Sequence, residues 1–226
     1  MSRSASNMTP AARMEVRPGI WLDSRLALWI SELRVLVIAD LHWGYVASHR
    51  AEGNLLPAWG DADISRRLDA LVRDYDPAEM VWLGDSLHTL TGAQTAEEYL
   101  RKASLAVTIV SGNHDARWSR AREHRFLQRG NFTLHHGDRV LLVPSGSCEI
   151  VGHLHPAVSW ADGAGMRLKM PALVASDHRL VLPAFSPWAA GVPWKKPLPG
   201  ETIYAISSKR IFTVPYAPAQ KEPRAL

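Results

Sequence analysis

The chain has 226 residues, 46% hydrophobic and 21% charged, with a formal net charge of +4. That balance describes one globular domain with a sizeable core and excludes a disordered or collagen-like chain; the mild basicity permits a nucleic-acid partner without demanding one. No apolar run approaches the roughly 18 residues of a membrane span, and the single Cys148 excludes an internal disulfide and fits a reducing compartment.

Residues 1–13 are Ser- and Ala-rich and lack the apolar centre of a signal peptide, so a flexible tail and a cytoplasmic location are expected. The domain is expected over 14–215. Val35-Leu36-Val37-Ile38-Ala39 is a continuous apolar, β-branched run that predicts a buried strand ending at Asp40. Ile64, Leu68, Leu71 and Val72 have helical spacing within 61–74. Met80 to Leu83 predicts a second strand, 95–103 a helix with Glu97 and Glu98 in its first turn, and Leu105 to Val110 a third strand. The Arg-rich stretch from Ala116 to Arg129 predicts a basic helix.

Beyond it the chain reads as mostly antiparallel sheet. Short β runs are expected at 132–136, 139–143, 149–151, 166–174, 179–182, 203–207 and 211–214, the last two as a closing hairpin. Pro183 to Gly200 holds five prolines and predicts a long ordered loop. Residues 216–226 are expected as a polar tail. Two sheets with helices on their outer faces follow.

Five short motifs carry the chemistry: Asp40-Leu41-His42, Gly84-Asp85, Gly112-Asn113-His114-Asp115, His136-Gly137 and Gly152-His153-Leu154-His155. Asp40, His42, Asp85, Asn113, His136, His153 and His155 are O and N donors suited to hard or borderline divalent metals, with no thiolate among them. Seven donors are too many for one tetrahedral zinc. They suit two adjacent ions sharing a carboxylate, an arrangement that clamps both oxygens of a phosphoryl displacement. Three of the motifs begin where a predicted strand ends, the edge at which parallel α/β sheets bind ligands.

This order of motifs resembles the calcineurin-like metallophosphoesterase superfamily. Ala39-Asp40-Leu41-His42-Trp43-Gly44, Arg50-Ala51-Glu52-Gly53-Asn54-Leu55-Leu56-Pro57, Gly84-Asp85-Ser86-Leu87-His88 and Leu182-Pro183-Ala184-Phe185-Ser186-Pro187 look like its ligase-associated DNA-damage-response phosphoesterase branch. The resemblance implies a four-layer α/β/β/α sandwich. It places Asp40, His42 and His155 on one metal, Asn113, His136 and His153 on the other, and Asp85 between them. Mn²⁺ suits the donors best, with Fe or Zn as alternatives. The branch implies cleavage of single-stranded DNA and a link to DNA-repair ligases and helicases. A small nucleotide or other small phosphorylated substrate, or a non-catalytic scaffold, stays open as an alternative.

His114 matches the superfamily's non-ligand histidine, expected to stabilise the transition state or protonate the leaving oxygen. Asp115 is expected either to orient it or to cap the following helix. His88 is expected either to touch the scissile phosphate or to sit behind the ligands. His135 is expected to be structural, Cys148 a small buried side chain, and His49, His124 and His178 surface residues. Arg117, Arg120, Arg122, Arg125 and Arg129 form either a solvated helix face or a phosphate track. Arg50 and Arg117, nearest in sequence to the motifs, are candidates for a bidentate phosphate clamp.

Overall fold

The structure, a computed structural model, describes residues 11–161, 165–189, 191–195 and 197–215. The C-terminal tail expected over 216–226, and residues 1–10 of the N-terminal one, lie outside the described residues. Arg13, counted with that tail, is already the first residue of a strand.

The chain opens with an antiparallel meander of β1 (Arg13–Arg17), β2 (Ile20–Asp23), β3 (Ala27–Ile30) and β4 (Val35–Ile38). Two helices, α1 (Tyr45–Ala51) and α2 (Gly60–Tyr75), then lead to β5 (Glu79–Leu83). A third, α3 (Ala93–Lys102), leads to β6 (Ala106–Val110). Strands β4, β5 and β6 are mutually parallel and complete a six-stranded sheet. All four residues of β4 are buried, as expected for a strand covered on both faces.

The second sheet is built from β7 (Phe126–Arg129), β8 (Phe132–His135), β9 (Cys148–Val151), β10 (Pro156–Ala161), β11 (Arg167–Ser176), β12 (Arg179–Val181) and β13 (Val192–Pro193). A closing hairpin of β14 (Thr202–Ile206) and β15 (Ile211–Thr213) pairs onto β11. Most pairings are antiparallel, while β8–β9, β9–β12 and β10–β13 are parallel.

The sheets face each other across a core that includes Leu22, Leu28, Val37, Val81, Leu134, Ile150, Leu173 and Leu180. Each such side chain, taken from water, contributes roughly 1.5–3 kcal/mol. The opposite face of the first sheet buries Leu36, Ile38, Met80 and Trp82 against Ile64, Leu68 and Leu71 of α2, the stripe that helical spacing predicted. Two facing sheets with helices packed on the first are consistent with the expected α/β sandwich. On the outer face of the second sheet no helix lies among the described residues. There Val151, Val158, Val174 and Val181 form a smaller cluster with Trp194 from the Pro183–Gly200 loop packed against it.

Three local expectations fail. Ala116 to Arg129 is not a helix but two 3-10 turns, His114–Arg117 and Ser119–Arg122, followed by β7. Trp118, extended at ψ 115°, separates the turns. Trp118 and Ala121 anchor them in the helix-side core, and the Arg-rich remainder offers no apolar stripe to hold a longer helix. Residues 139–143 form no strand: β8 already has β7 and β9 as neighbours, leaving Val140 and Leu142 almost fully exposed. The last helix of the first sheet begins at Ala93, so Glu97 lies beyond its first turn; it accepts hydrogen bonds from Trp118 Nε1 at 3.0 Å and Arg120 Nη1 at 3.1 Å.

Candidate metal centre

Strands β4, β5 and β6 end side by side, and each delivers a motif at its C-terminal edge. The backbone there is unusual. Among the described residues, eight non-glycine residues have positive φ, and five are Asp40, His42, Asp85, His153 and His155. Such conformations are costly and persist where surrounding structure enforces them, commonly at functional sites. They turn the chain sharply at the strand ends and bring these side chains together.

The motif glycines give the candidate ligand residues room. A Cβ on Gly112 would fall 2.2 Å from both the amide N and Oδ1 of Asp85. A Cβ on Gly84 would fall 2.1 Å from His136 Nδ1, and Gly84 also has a φ of +77°. Only glycine permits so close an approach.

All seven sequence-predicted ligand residues are drawn to this edge. Asp40, His42 and His155 form one set, and Asp85, His136 and His153 a second, with donor atoms within 4.8 Å of one another in each; His42 also groups in this way with His88 and His114. Around His136 Nε2 converge His153 Nδ1 at 3.1 Å, Asn113 Oδ1 at 3.2 Å and Asp85 Oδ2 at 3.3 Å. The other ring nitrogen, His136 Nδ1, lies 3.7 Å from Asp40 Oδ1, so the sets adjoin. His155 Nε2 lies 3.2 Å from Asp40 Oδ1. The amide of His153 donates to both Asp40 oxygens, which ties the last motif to the first.

This donor set fits divalent ions. Ligands about 2.0–2.2 Å from one ion sit roughly 3–4 Å apart, the spacing found here. His42 Nδ1 and His155 Nε2 are buried and make no hydrogen bond, and such orphaned nitrogens call for a partner. Burial pushes the His42 imidazole down to about 4, against the pull of Asp40 and Asp85, so its lone pair is free. Burial also opposes charge on His136, yet its hydrogen bond to Asp85 and the charges of Asp40 and Asp85 push it up to about 9. Those buried carboxylates demand a positive charge, which a bound cation would supply in place of the proton.

His114 lies beside these sets. Its Nδ1 is 2.8 Å from the His88 carbonyl, which can only accept, so Nδ1 carries hydrogen and Nε2 is left for exchange. His114 is exposed, and its ring faces His42 edge-on at 5.2 Å. His88 also stacks on it, with centroids 5.4 Å apart.

Asp115 does not orient His114. Its fully buried carboxylate accepts the backbone N–H groups of Ser86 at 3.1 Å, Leu87 at 2.9 Å and Gly112 at 3.1 Å. Nor is it a cap, since it sits inside the 3-10 turn. It staples the loop carrying Asp85 to the loop carrying Asn113. Burial pushes the carboxyl up to about 6, with these amides partly opposing the shift.

The arginines are dispersed. Arg129 pairs with Glu79 at 2.8 Å and Arg120 with Glu97 at 3.1 Å, while Arg117, Arg122 and Arg125 are exposed. Arg50 Nη1 donates to the Leu56 carbonyl at 3.2 Å. Neither Arg50 nor Arg117 contacts the ligand sets among the described residues. His135 is buried against Glu149 at 3.1 Å, and Cys148 is half-buried beside Arg17. His178 is exposed and His124 half-buried. His49 is not a plain surface residue: its ring packs on Tyr45 at 4.3 Å and His88 at 5.4 Å.

Two supports lie outside the five donor motifs. The Pro183–Gly200 loop docks behind the first motif: Phe185 N–H donates to the Ala39 carbonyl at 2.8 Å, and Ser186 N–H to the Asp40 carbonyl at 3.0 Å. Arg67 of α2 lies 3.9 Å over the Phe185 ring and holds that loop. The paired apolar and Pro positions of 182–187 are the nearest thing to a signal.

A two-sheet fold with O and N donors gathered at one strand edge defines a metal-dependent phosphoesterase, a hydrolase of ester bonds. The chain belongs to the calcineurin-like phosphoesterase family, whose model matches residues 33–171. Among solved structures it is similar to the crystal structure of Pseudomonas putida nuclease MPE. That match has a TM-score of 0.69 at 23% sequence identity and covers 91% of this chain and 100% of the other; it is a likeness of fold. No curated protein matches the chain.

Proposed function

We propose that this chain is a dimetal phosphodiesterase that cleaves single-stranded DNA. The observation that carries the reading is the pair of adjoining donor sets, with His136 between Asp40 and Asp85. Asp40, His42 and His155 would hold one ion, Asn113, His136 and His153 the other, and Asp85 both. The mixture of imidazole, carboxylate and amide suits Mn²⁺. Bound there, such ions supply Lewis acidity to phosphate oxygens and lower the pKa of water.

The chain's own residues then have separate tasks. In its imidazolium form His114 keeps Nδ1–H on the His88 carbonyl and carries the Nε2–H that passes to the departing oxygen, leaving the ring neutral. Asp115 holds the loops of Asp85 and Asn113 in register through three backbone amides. Exposed Arg117, Arg122 and Arg125 offer charge to the phosphates beyond the scissile one. The structurally similar Pseudomonas putida protein is a nuclease, which agrees with a nucleic-acid substrate here. The sequence resemblance supports a place in DNA repair.

The test is a substrate panel with Mn²⁺: single-stranded DNA, duplex DNA, RNA, a generic phosphodiester and a generic phosphomonoester. Preferred turnover of single-stranded DNA is expected. Preference for the monoester, or for the small diester over every polymer, would refute the reading.

A further inference from the structure

The sequence holds nine tryptophans, and the buried core takes Trp43, Trp82 and Trp118. Trp59 and Trp188 belong to none of the core clusters. Trp59 precedes α2 and is 48% exposed. Trp188, from the Pro183–Gly200 loop, packs on it with ring centroids 4.9 Å apart. Tyr45, at the start of α1, lies parallel to Trp188, 6.3 Å away with a 4° angle between planes. Tyr45 also touches His88 at 4.5 Å. His88 in turn faces His114 at 5.4 Å and His42 at 5.6 Å.

A continuous run of rings therefore leads from a solvent-facing tryptophan to the metal-ligand and proton-donor histidines. Three separate segments build it: α1 with the loop after it, the loop after β5, and the Pro-rich loop. Two buried nitrogens on the run, His88 Nδ1 and Trp188 Nε1, have no hydrogen-bond partner. Beside it Arg50 is exposed, one residue beyond His49 on α1.

We propose that this run, with Trp59 and Trp188 at its outer end, is a stacking platform for unpaired bases flanking the phosphodiester at the metal centre. The inference rests on the phosphodiesterase reading above and names the residues that select the strand. Every base offers a π face, so stacking on aromatic rings holds single strands without regard to sequence. Bases locked in a duplex cannot splay onto such rings. A small phosphodiester has nothing that reaches them.

Trp59 is the residue to test, because Trp188 is lodged against Gly60, where a Cβ would lie 2.3 Å from its Nε1. The metal-loaded protein is titrated with two 5′-labelled chains of about eight nucleotides, a length within the usual single-strand site size. One is oligothymidylate; the other is abasic, with the same phosphates. Fluorescence anisotropy, read before appreciable cleavage, gives each Kd. The wild type should bind oligothymidylate at least about tenfold tighter than the abasic chain, the scale of one base–ring stack. Trp59→Ala should remove most of that ratio by weakening oligothymidylate alone, and Trp59→Phe should restore most of it. Equal affinity of the wild type for both chains, or equal weakening of both by Trp59→Ala, overturns the platform. Base-dependent binding without cleavage of either chain would leave the platform standing and refute the nuclease reading instead.

Discussion

Replacing Asp115 by alanine separates a chemical from a structural role for this residue. Its carboxylate is fully buried and accepts three backbone N–H groups, from Ser86, Leu87 and Gly112. Each buried donor left without a partner costs about 1–3 kcal/mol. Water admitted to the vacated space would satisfy some of them, so the expected loss is about 3 kcal/mol. For a domain of this size that lowers Tm by about 6–12 °C. Ser86 and Gly112 adjoin Asp85 and Asn113, so metal affinity should fall as well. Asp115→Asn should be milder, near 1 kcal/mol, because its carbonyl can retain the two amides that share one oxygen. Differential scanning fluorimetry with EDTA and with Mn²⁺, and elemental analysis of the purified variants, read both effects. An unchanged Tm and metal content in Asp115→Ala, with turnover lost, would refute the staple and return Asp115 to orienting His114.

Three further outcomes follow from the same geometry. Gly112→Ala places a methyl 2.2 Å from the Asp85 amide, so it should displace that carboxylate and abolish metal retention by elemental analysis while far-UV circular dichroism stays near wild type. His114→Ala should keep its metal and slow turnover by about 10²–10⁴-fold, with a smaller loss on diesters whose leaving group needs no proton; metal loss would show it to be a ligand. In metal-free protein, His136 is pushed up to about 9 from an ordinary value of 6.5. Its protonated form adds stability that is full below about 6.5 and lost as pH rises through about 9. Thermal scans in EDTA should show Tm falling across that window, and the gain from added Mn²⁺ should grow as proton competition fades; a pH-independent gain would contradict the assignment.

The local signals in this sequence were those with short-range causes. The apolar runs before Asp40 and Asp85 declared buried strands, because such strands are covered on both faces and need no alternation; the third run, before Asn113, forms the edge strand β6 and is buried only at Ile109 and Val110. The donor types of the motifs declared a hard-metal centre, because ligand chemistry is a property of the side chain itself. The helical spacing of Ile64, Leu68 and Leu71 declared α2. Other features depended on what lies opposite. The Arg-rich segment after Asp115 reads as a helix until Trp118 is seen extended in the core between two short turns. Asp115 reads as a partner for its neighbour His114 until amides 28 and 29 residues away in sequence are seen to take both of its oxygens. His49, Tyr45, Trp59 and Trp188 carry no common motif, and only the folding of α1, α2 and the Pro-rich loop onto one edge makes them a single run of rings. Spacing along a chain fixes which faces a segment presents. Which distant groups meet those faces is decided by packing the two sheets and their loops together, and the partners of Asp115 and the neighbours of Trp59 are of that kind.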